Sequence, residues 1–292
     1  MSSASLSLEQ PARQKRKATL TWRFRQNKLA VGGAVIVAIV IFVAVFANVV
    51  APTGYNEGIL DESRQFPSLS HPFGTDQVGR DYLSRIMFGV RTSIIVGFGV
   101  QLIAMSIWAT MGALAGFRGG WVDQIVLRII EIATGIPNLL VAMFIMSFLG
   151  HSMWSVIFAL GITGWVVETR VTRGQFLALR EREFVMAARA IGASQMRITF
   201  RHIFPNVVPI LAVVLAFQIP AAIFNEAGLS FLGLGIDEPL PSLGKMVSTS
   251  LAYVRVFWHM GLFPSLAIAL ITLGFTFMGD GLRDALDPTM NR

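Results

Sequence analysis

Leu29-Ala-Val-Gly-Gly-Ala-Val-Ile-Val-Ala-Ile-Val-Ile-Phe-Val-Ala-Val-Phe-Ala-Asn-Val-Val50 carries no charge, and the nearest charged residues are Lys28 and Glu57. About 20 mostly apolar residues span the roughly 30 Å hydrocarbon core of a bilayer, so this run reads as a membrane-crossing helix. A cleaved signal peptide is the competing reading. The run exceeds the apolar stretch of such a peptide, follows a 28-residue basic region and is succeeded by further apolar runs. Across all 292 residues, 54% are hydrophobic and only 14% charged. Soluble domains carry about a quarter charged residues, so these proportions exclude a soluble or disordered chain and leave an integral membrane protein.

Moving outward, a second charge-free run lies between Arg91 and Arg118. From Ile132 to Val167 there is again no charge, enough for two spans divided at Gly150-His151-Ser152, near 127–149 and 153–169. Pro137 should kink the first of them. A fifth span runs from about Val207 to Asn225, and a sixth from about Gly261 to Gly279, where Asp280 ends it. The expected fold class is thus an all-α integral membrane protein of six transmembrane helices. Gly97, Gly99, Ala104, Gly112, Ala113 and Gly116 give the second span small faces for close packing.

Lys and Arg are retained in cytoplasmic segments, so their distribution gives orientation. Arg13, Lys15, Arg16, Lys17, Arg23, Arg25 and Lys28 precede the first span; Arg170, Arg173, Arg180, Arg182, Arg189, Arg197 and Arg201 lie between the fourth and fifth. With Arg118, Arg283 and Arg292 they place 17 basic residues on one side. Arg64, Arg80, Arg85, Lys245 and Arg255 make five on the other. Both termini are therefore expected in the cytoplasm, and the net charge of +7 is a topology signal and not a nucleic-acid footprint.

Sites for chemistry are scarce. Cysteine is absent and the four histidines are scattered. Gly244-Lys245-Met246 lacks both the upstream glycine and the Ser or Thr of a phosphate loop. No catalytic or metal residues are expected, and an intramembrane enzyme is the distant alternative. Arg128 and Glu131 lie one turn apart and read as a structural ion pair. Glu168 and Asp280 read as solvated helix ends. Asn225, Glu226 and the nearby Ser230 are candidate gate or pathway residues, with a helix end reaching interfacial water as the alternative. Tyr82, Leu83, Ile86, Met87 and Val90 share one helical face and predict an interfacial helix leading into the second span. Asp237 and Glu238 are a candidate docking surface.

The segment from Arg180 to Pro205 predicts two short helices. Glu183 opens the first, Gly192 ends it in the left-handed conformation, and Ser194 caps the second. Ala187, Ala188 and Ala193 would form a small open face on this elbow. A basic loop lying on anionic headgroups is the plainer alternative.

Ala187-Ala188, then Gly192, then Pro205 thirteen positions later resembles the EAA loop of ATP-binding-cassette importer permeases. Met186 stands where the motif has Glu, and His202 and Phe204 where Ile and Leu are commoner, which leaves Glu183 or Arg189 as the charged contact. Arg25-Gln-Asn-Lys28, His71-Pro-Phe-Gly74-Thr-Asp76 through Arg80-Asp81, Arg128-Ile-Ile-Glu131 with Pro137, Leu229-Ser-Phe-Leu-Gly233 and Gly279-Asp280-Gly281 through Asp287-Pro288 resemble the C-type subunit of the dipeptide/oligopeptide/nickel permeases. The resemblance implies a type I importer permease fold in a prokaryotic inner membrane. The implied parts are a basic tail (1–28), a first span (29–51), an outer loop (52–89), a permease core (90–281) with its coupling loop at 180–205, and a C-terminal tail (282–292). Implied partners are a B-type second permease, two ATPase subunits holding ATP and Mg, an extracytoplasmic binding protein and the bilayer. The implied cargo is di- or oligopeptides, with nickel complexes or another small solute as the alternative.

Overall fold

The computed structural model describes residues 20–286; the expectations for Arg13, Lys15, Arg16, Lys17, Asp287, Pro288 and Arg292 lie outside them. The described residues are helical, with β pairing limited to the bridges Gly58–Arg80 and Thr75–Asp81. A short helix, α1 (Leu20–Gln26), leads into α2 (Lys28–Val50). Asn27 caps α2, accepting from the backbone N–H groups of Leu29 and Ala30 at 3.1 Å each. Helix α3 (Tyr82–Arg118) follows, capped by Asp81. Then come α4 (Gly120–Thr134), α5 (Asn138–Leu149), α6 (Met153–Thr163), α7 (Val166–Arg180), α8 (Glu183–Ala190) and α9 (Gln195–Ile198). Helices α10 (Phe204–Phe231), α11 (Leu243–Ser250) and α12 (His259–Leu286) complete the chain.

Four helical stretches, α2, α3, α9–α10 and α12, are long and apolar enough to cross a bilayer, and the bent pairs α4–α5 and α6–α7 bring the number to six. Several expected boundaries are corrected. The interfacial helix at 82–91 is the first part of α3. Tyr82, Ile86 and Val90 pack on Leu243, Met246 and Met260, so their apolar face is covered by protein. Arg91, the expected boundary, donates to Asn48 on α2 at 2.9 Å and leaves the helix unbroken. The third span is interrupted by 78° where a kink was expected. Proline has no N–H and its ring collides with the carbonyl four residues back, and here Gly135 and Pro137 stand two positions apart. The fourth span bends by 46° after Thr163 and runs on to Arg180. The fifth extends to Phe231 and the sixth to Leu286, so neither Asn225 nor Asp280 is a helix end.

Packing follows from small residues. Gly97 faces Ile219 and Ile223 of α10, Gly99 faces Ile157 of α6, and Gly112 and Gly116 face Thr172 and Phe176 of α7. Helix α12 lies along α2, where a Cβ at Gly33 would meet the Gly274 carbonyl and the Met278 N–H at 2.7 Å. Outward-facing side chains such as Phe42, Val45, Leu266 and Leu270 are apolar and exposed. Only 28% of the most apolar part of α2 is buried within the chain, which is the inverted surface of a helix facing lipid or a neighbouring subunit.

Gly33→Val should wedge α2 from α12 at an overpacking cost of about 1–3 kcal/mol. Gly32→Val, where no atom lies within 4 Å, is the paired control. Thermal unfolding of the purified protein is expected to fall several degrees for Gly33→Val only; equal falls would refute the close α2–α12 contact.

Candidate functional site

The elbow at 183–205 is built as its residue types dictate. Gly192 has φ +80°, and its N–H reaches the Arg189 carbonyl at 2.9 Å while Ala193 N–H reaches the Ala188 carbonyl at 3.0 Å. These two bonds form the Schellman closure of a helix, which needs a residue comfortable at positive φ. Ser194 then accepts from Arg197 N–H at 3.4 Å and starts α9. A π turn at Thr199–Ile203 joins α9 to α10. There the Phe204 N–H reaches back to the Thr199 carbonyl. The wider turn makes room for Pro205, whose ring would crowd a regular α-helical turn.

The elbow is anchored through apolar side chains. Val185, Ala188, Ile198 and Ile203 are buried in one cluster with Trp108 of α3, Phe176 of α7, and Val207 and Leu211 of α10. This corrects the expected small open face: Ala188 points inward and Ala193 is half-buried, leaving Ala187 exposed. Glu183, Met186, Arg189, Ile191 and Met196 are exposed around it. Neither Glu183 nor Arg189 forms an ion pair with another described residue. Pro205 is exposed where α10 begins. Arg128 and Glu131 pair at 2.7 Å as expected, on an exposed face of α4. A further pair that the sequence reading missed, Arg173–Asp123, ties α7 to α4. Its second contact, Arg173 Nη2 to Asp123 Oδ2, is 2.6 Å.

At the opposite end of α3, the 71–85 segment forms a charged clasp. Asp81 caps α3 through Ser84 N–H at 2.8 Å and meets His71 Nδ1 at 3.0 Å. Asp76 accepts from Arg80 Nε at 2.6 Å. Arg80 Nη1 and Arg85 Nη2 donate to the two oxygens of Glu238 at 2.7 and 3.1 Å. Glu238, expected with Asp237 on a docking surface, is exposed as Asp237 is, and it also binds the 232–242 loop to α3. Burial pushes the Glu238 carboxyl up, but the hydrogen bonds and charges of Arg80 and Arg85 prevail and hold it below the usual carboxylate range.

Of the gate candidates 225, 226 and 230, Asn225 separates from the other two because adjacent helical residues point about 100° apart. Glu226 is wholly buried and accepts from Ser230 at 2.7 Å and from Ser242, the cap of α11, at 2.6 Å. It therefore joins α10 to α11 and does not reach interfacial water. Asn225 faces the other way, into a cavity of about 240 Å³.

That cavity lies between α3, α5, α6, α7 and α10, beside both helix breaks. Its polar lining is Gln101, Asn138, Thr163, Glu168, Gln218 and Asn225. Glu168 is only 5% exposed, which corrects its expected place at a solvated end. The bend at Gly164 starts a new helix there, so the carboxylate stands in the first turn of α7, where the helix dipole favours negative charge. Gln101 donates to the Gln218 carbonyl at 3.2 Å, leaving its own Oε1 buried and without a partner. Glutamines inside apolar runs were the available sequence signal; a search for charges passes over them.

Comparison with known proteins decides the family. Residues 109–292 match the family described as binding-protein-dependent transport system inner membrane component, and residues 19–70 match the N-terminal TM domain of oligopeptide transport permease C. The chain belongs to this family of inner-membrane transport permeases. It is 40% identical to the oligopeptide transport system permease protein OppC of Bacillus subtilis, over 92% of this chain and 88% of that one. It is 39% identical to the dipeptide transport system permease protein DppC of Alkalihalophilus pseudofirmus, over 94% and 91%. The permease also shares its fold with a chain of the MetNI methionine ABC transporter in an inward-facing conformation, at TM-score 0.57 and 20% identity, over 70% of this chain and 97% of that one. The expected permease family and fold are thereby borne out.

The clasp of this permease gives a pH test. A carboxyl held below its unfolded value stabilises the fold above that value and loses the contribution as pH falls through the folded value. The unfolding temperature of wild type should exceed that of Glu238→Gln by a constant margin above pH about 4.5, and the margin should shrink as pH falls below it and through the depressed folded value. A margin that persists in acid would show that the pair is not responsible.

Proposed function

We propose that this permease forms one half of a translocation pathway for di- and oligopeptides, with a homologous B-type permease supplying the other half. Two ATPase subunits, which hold ATP and Mg, drive it, and an extracytoplasmic binding protein delivers the cargo. Both termini and the elbow face the cytoplasm, where Arg170–Arg201 and the N-terminal basic residues gather. The peptide assignment draws on the relatives described as oligopeptide and dipeptide permeases.

One observation carries the mechanism. The helices that anchor the elbow, α3, α7 and α10, are also three of the helices that line the cavity. An ATPase groove gripping Glu183, Met186, Ala187, Arg189, Ile191 and Met196 would move the elbow as the two ATPases close. Buried Val185, Ala188, Ile198 and Ile203 would pass that displacement to the cavity walls. Coupling requires such a difference in contacts between two states.

Gly192→Pro removes the φ of +80° and the N–H that closes α8. Membrane insertion should survive, while uptake is lost and binding-protein-stimulated ATP hydrolysis drops to the basal rate. Gly192→Asn, which tolerates positive φ, should keep most of both activities. Normal uptake by Gly192→Pro would remove the elbow from the mechanism. In the same preparation the ATPases and the second permease should copurify with this chain. Transport by the chain alone down an ion gradient would contradict the subunit assignment.

A further inference from the structure

Glu168 is the one group in the cavity whose chemistry the pathway reading leaves unused. Its carboxylate is buried and forms no ion pair with a described residue. A charge at membrane depth is retained when it pairs or faces a water-filled path; Glu168 has no ion-pair partner among the described residues and lines the cavity. Around it stand four side-chain amides, Gln101, Asn138, Gln218 and Asn225, and the hydroxyl of Thr163. The Oε1 of Gln101 is buried and free to accept. The Thr163 hydroxyl is already used by the Ala159 carbonyl at 2.9 Å, so the amides carry the remaining capacity. One anion with several amides matches a ligand bearing one cationic donor group and a string of neutral donors and acceptors. It does not match a transition metal, which favours imidazole or thiolate ligands; no cluster of His, Cys, Asp or Glu fit for a metal occurs among the described residues.

We propose that Glu168 receives the protonated amino terminus of a peptide in transit, while Gln101, Asn138, Gln218 and Asn225 hydrogen-bond its backbone. The assignment rests on the peptide reading above and adds a chemical preference to it: a free amino end. A charge-assisted hydrogen bond is worth about a tenfold difference in affinity. The cavity is small and only partly enclosed, so the contact is transient and weak, as passage requires.

Saturation-transfer NMR reads such weak binding on the intact transporter complex in nanodiscs, without its binding protein. Trialanine and N-acetyltrialanine, titrated at millimolar concentrations, are the probes. Trialanine should bind saturably to wild type and N-acetyltrialanine about tenfold more weakly. Glu168→Gln should lower trialanine to the acetylated level and leave N-acetyltrialanine unchanged. Equal affinities in wild type, equal losses in the variant, or no saturable binding of trialanine would each overturn the proposal. If Glu168→Gln fails to assemble, the wild-type comparison of the two peptides still decides. Trialanine uptake into proteoliposomes holding the whole transporter separates the two levels. Absence of uptake defeats the peptide reading itself, whereas uptake with equal affinities defeats only the role of Glu168.

Discussion

Inside hydrocarbon a backbone has no water to bond with, so a chain that leaves the helix there must line a cavity or be covered by protein. The permease leaves the helix twice at such depth, at Gly135–Pro137 and at Gly164–Trp165. Both breaks border the one space where Gln101, Asn138, Glu168, Gln218 and Asn225 converge. Kinks that would be costly in lipid are tolerated there, because the polar groups beside them face the cavity. Cavity, breaks and buried carboxylate are thus one consequence of a single solvation rule.

The two ends of the bundle are fixed by different chemistry. Beside the start of α3, ion pairs and caps lock Asp76, Arg80, Arg85 and Glu238 into a clasp over α3 and the 232–242 loop. Arg80 and Asp76 form a buried pair, and losing one of them leaves the other charge unpaired at a cost of about 3–5 kcal/mol, so this part of the clasp resists rearrangement. Beside the end of α7, the elbow packs through apolar side chains, and Glu183 and Arg189 on its rim form no ion pair among the described residues. Under the proposed coupling, the elbow end would respond to a partner while the clasped end holds the helices in register.

Much of this was legible in the sequence because apolar length and basic asymmetry report directly on a bilayer. The elbow was legible to the residue: Gly192 and Ser194 do what their backbone preferences require. What misled was the assumption that charges mark helix ends. Arg91, Glu226 and Asp280 lie within continuous helices: Arg91 donates to Asn48, one oxygen of Glu226 accepts from Ser230 and Ser242, and Asp280 is exposed. Glu168 was misplaced because the bend at Gly164 is tertiary; nothing local distinguishes it from an ordinary packing glycine. Glu238 is at the surface, but its ion pairs are not legible because its partners, Arg80 and Arg85, are more than 150 positions away.

The central claim is that the broken helices open a water-filled cavity at membrane depth. The chain contains no cysteine, so single cysteines can be placed without altering anything else. In the membrane-embedded transporter, the rate of modification by a charged, membrane-impermeant thiosulfonate should be high for Glu168→Cys and Asn225→Cys and near zero for Phe42→Cys on the apolar face of α2. If Glu168→Cys and Asn225→Cys react as slowly as Phe42→Cys, the cavity is dry and the account of the breaks is wrong.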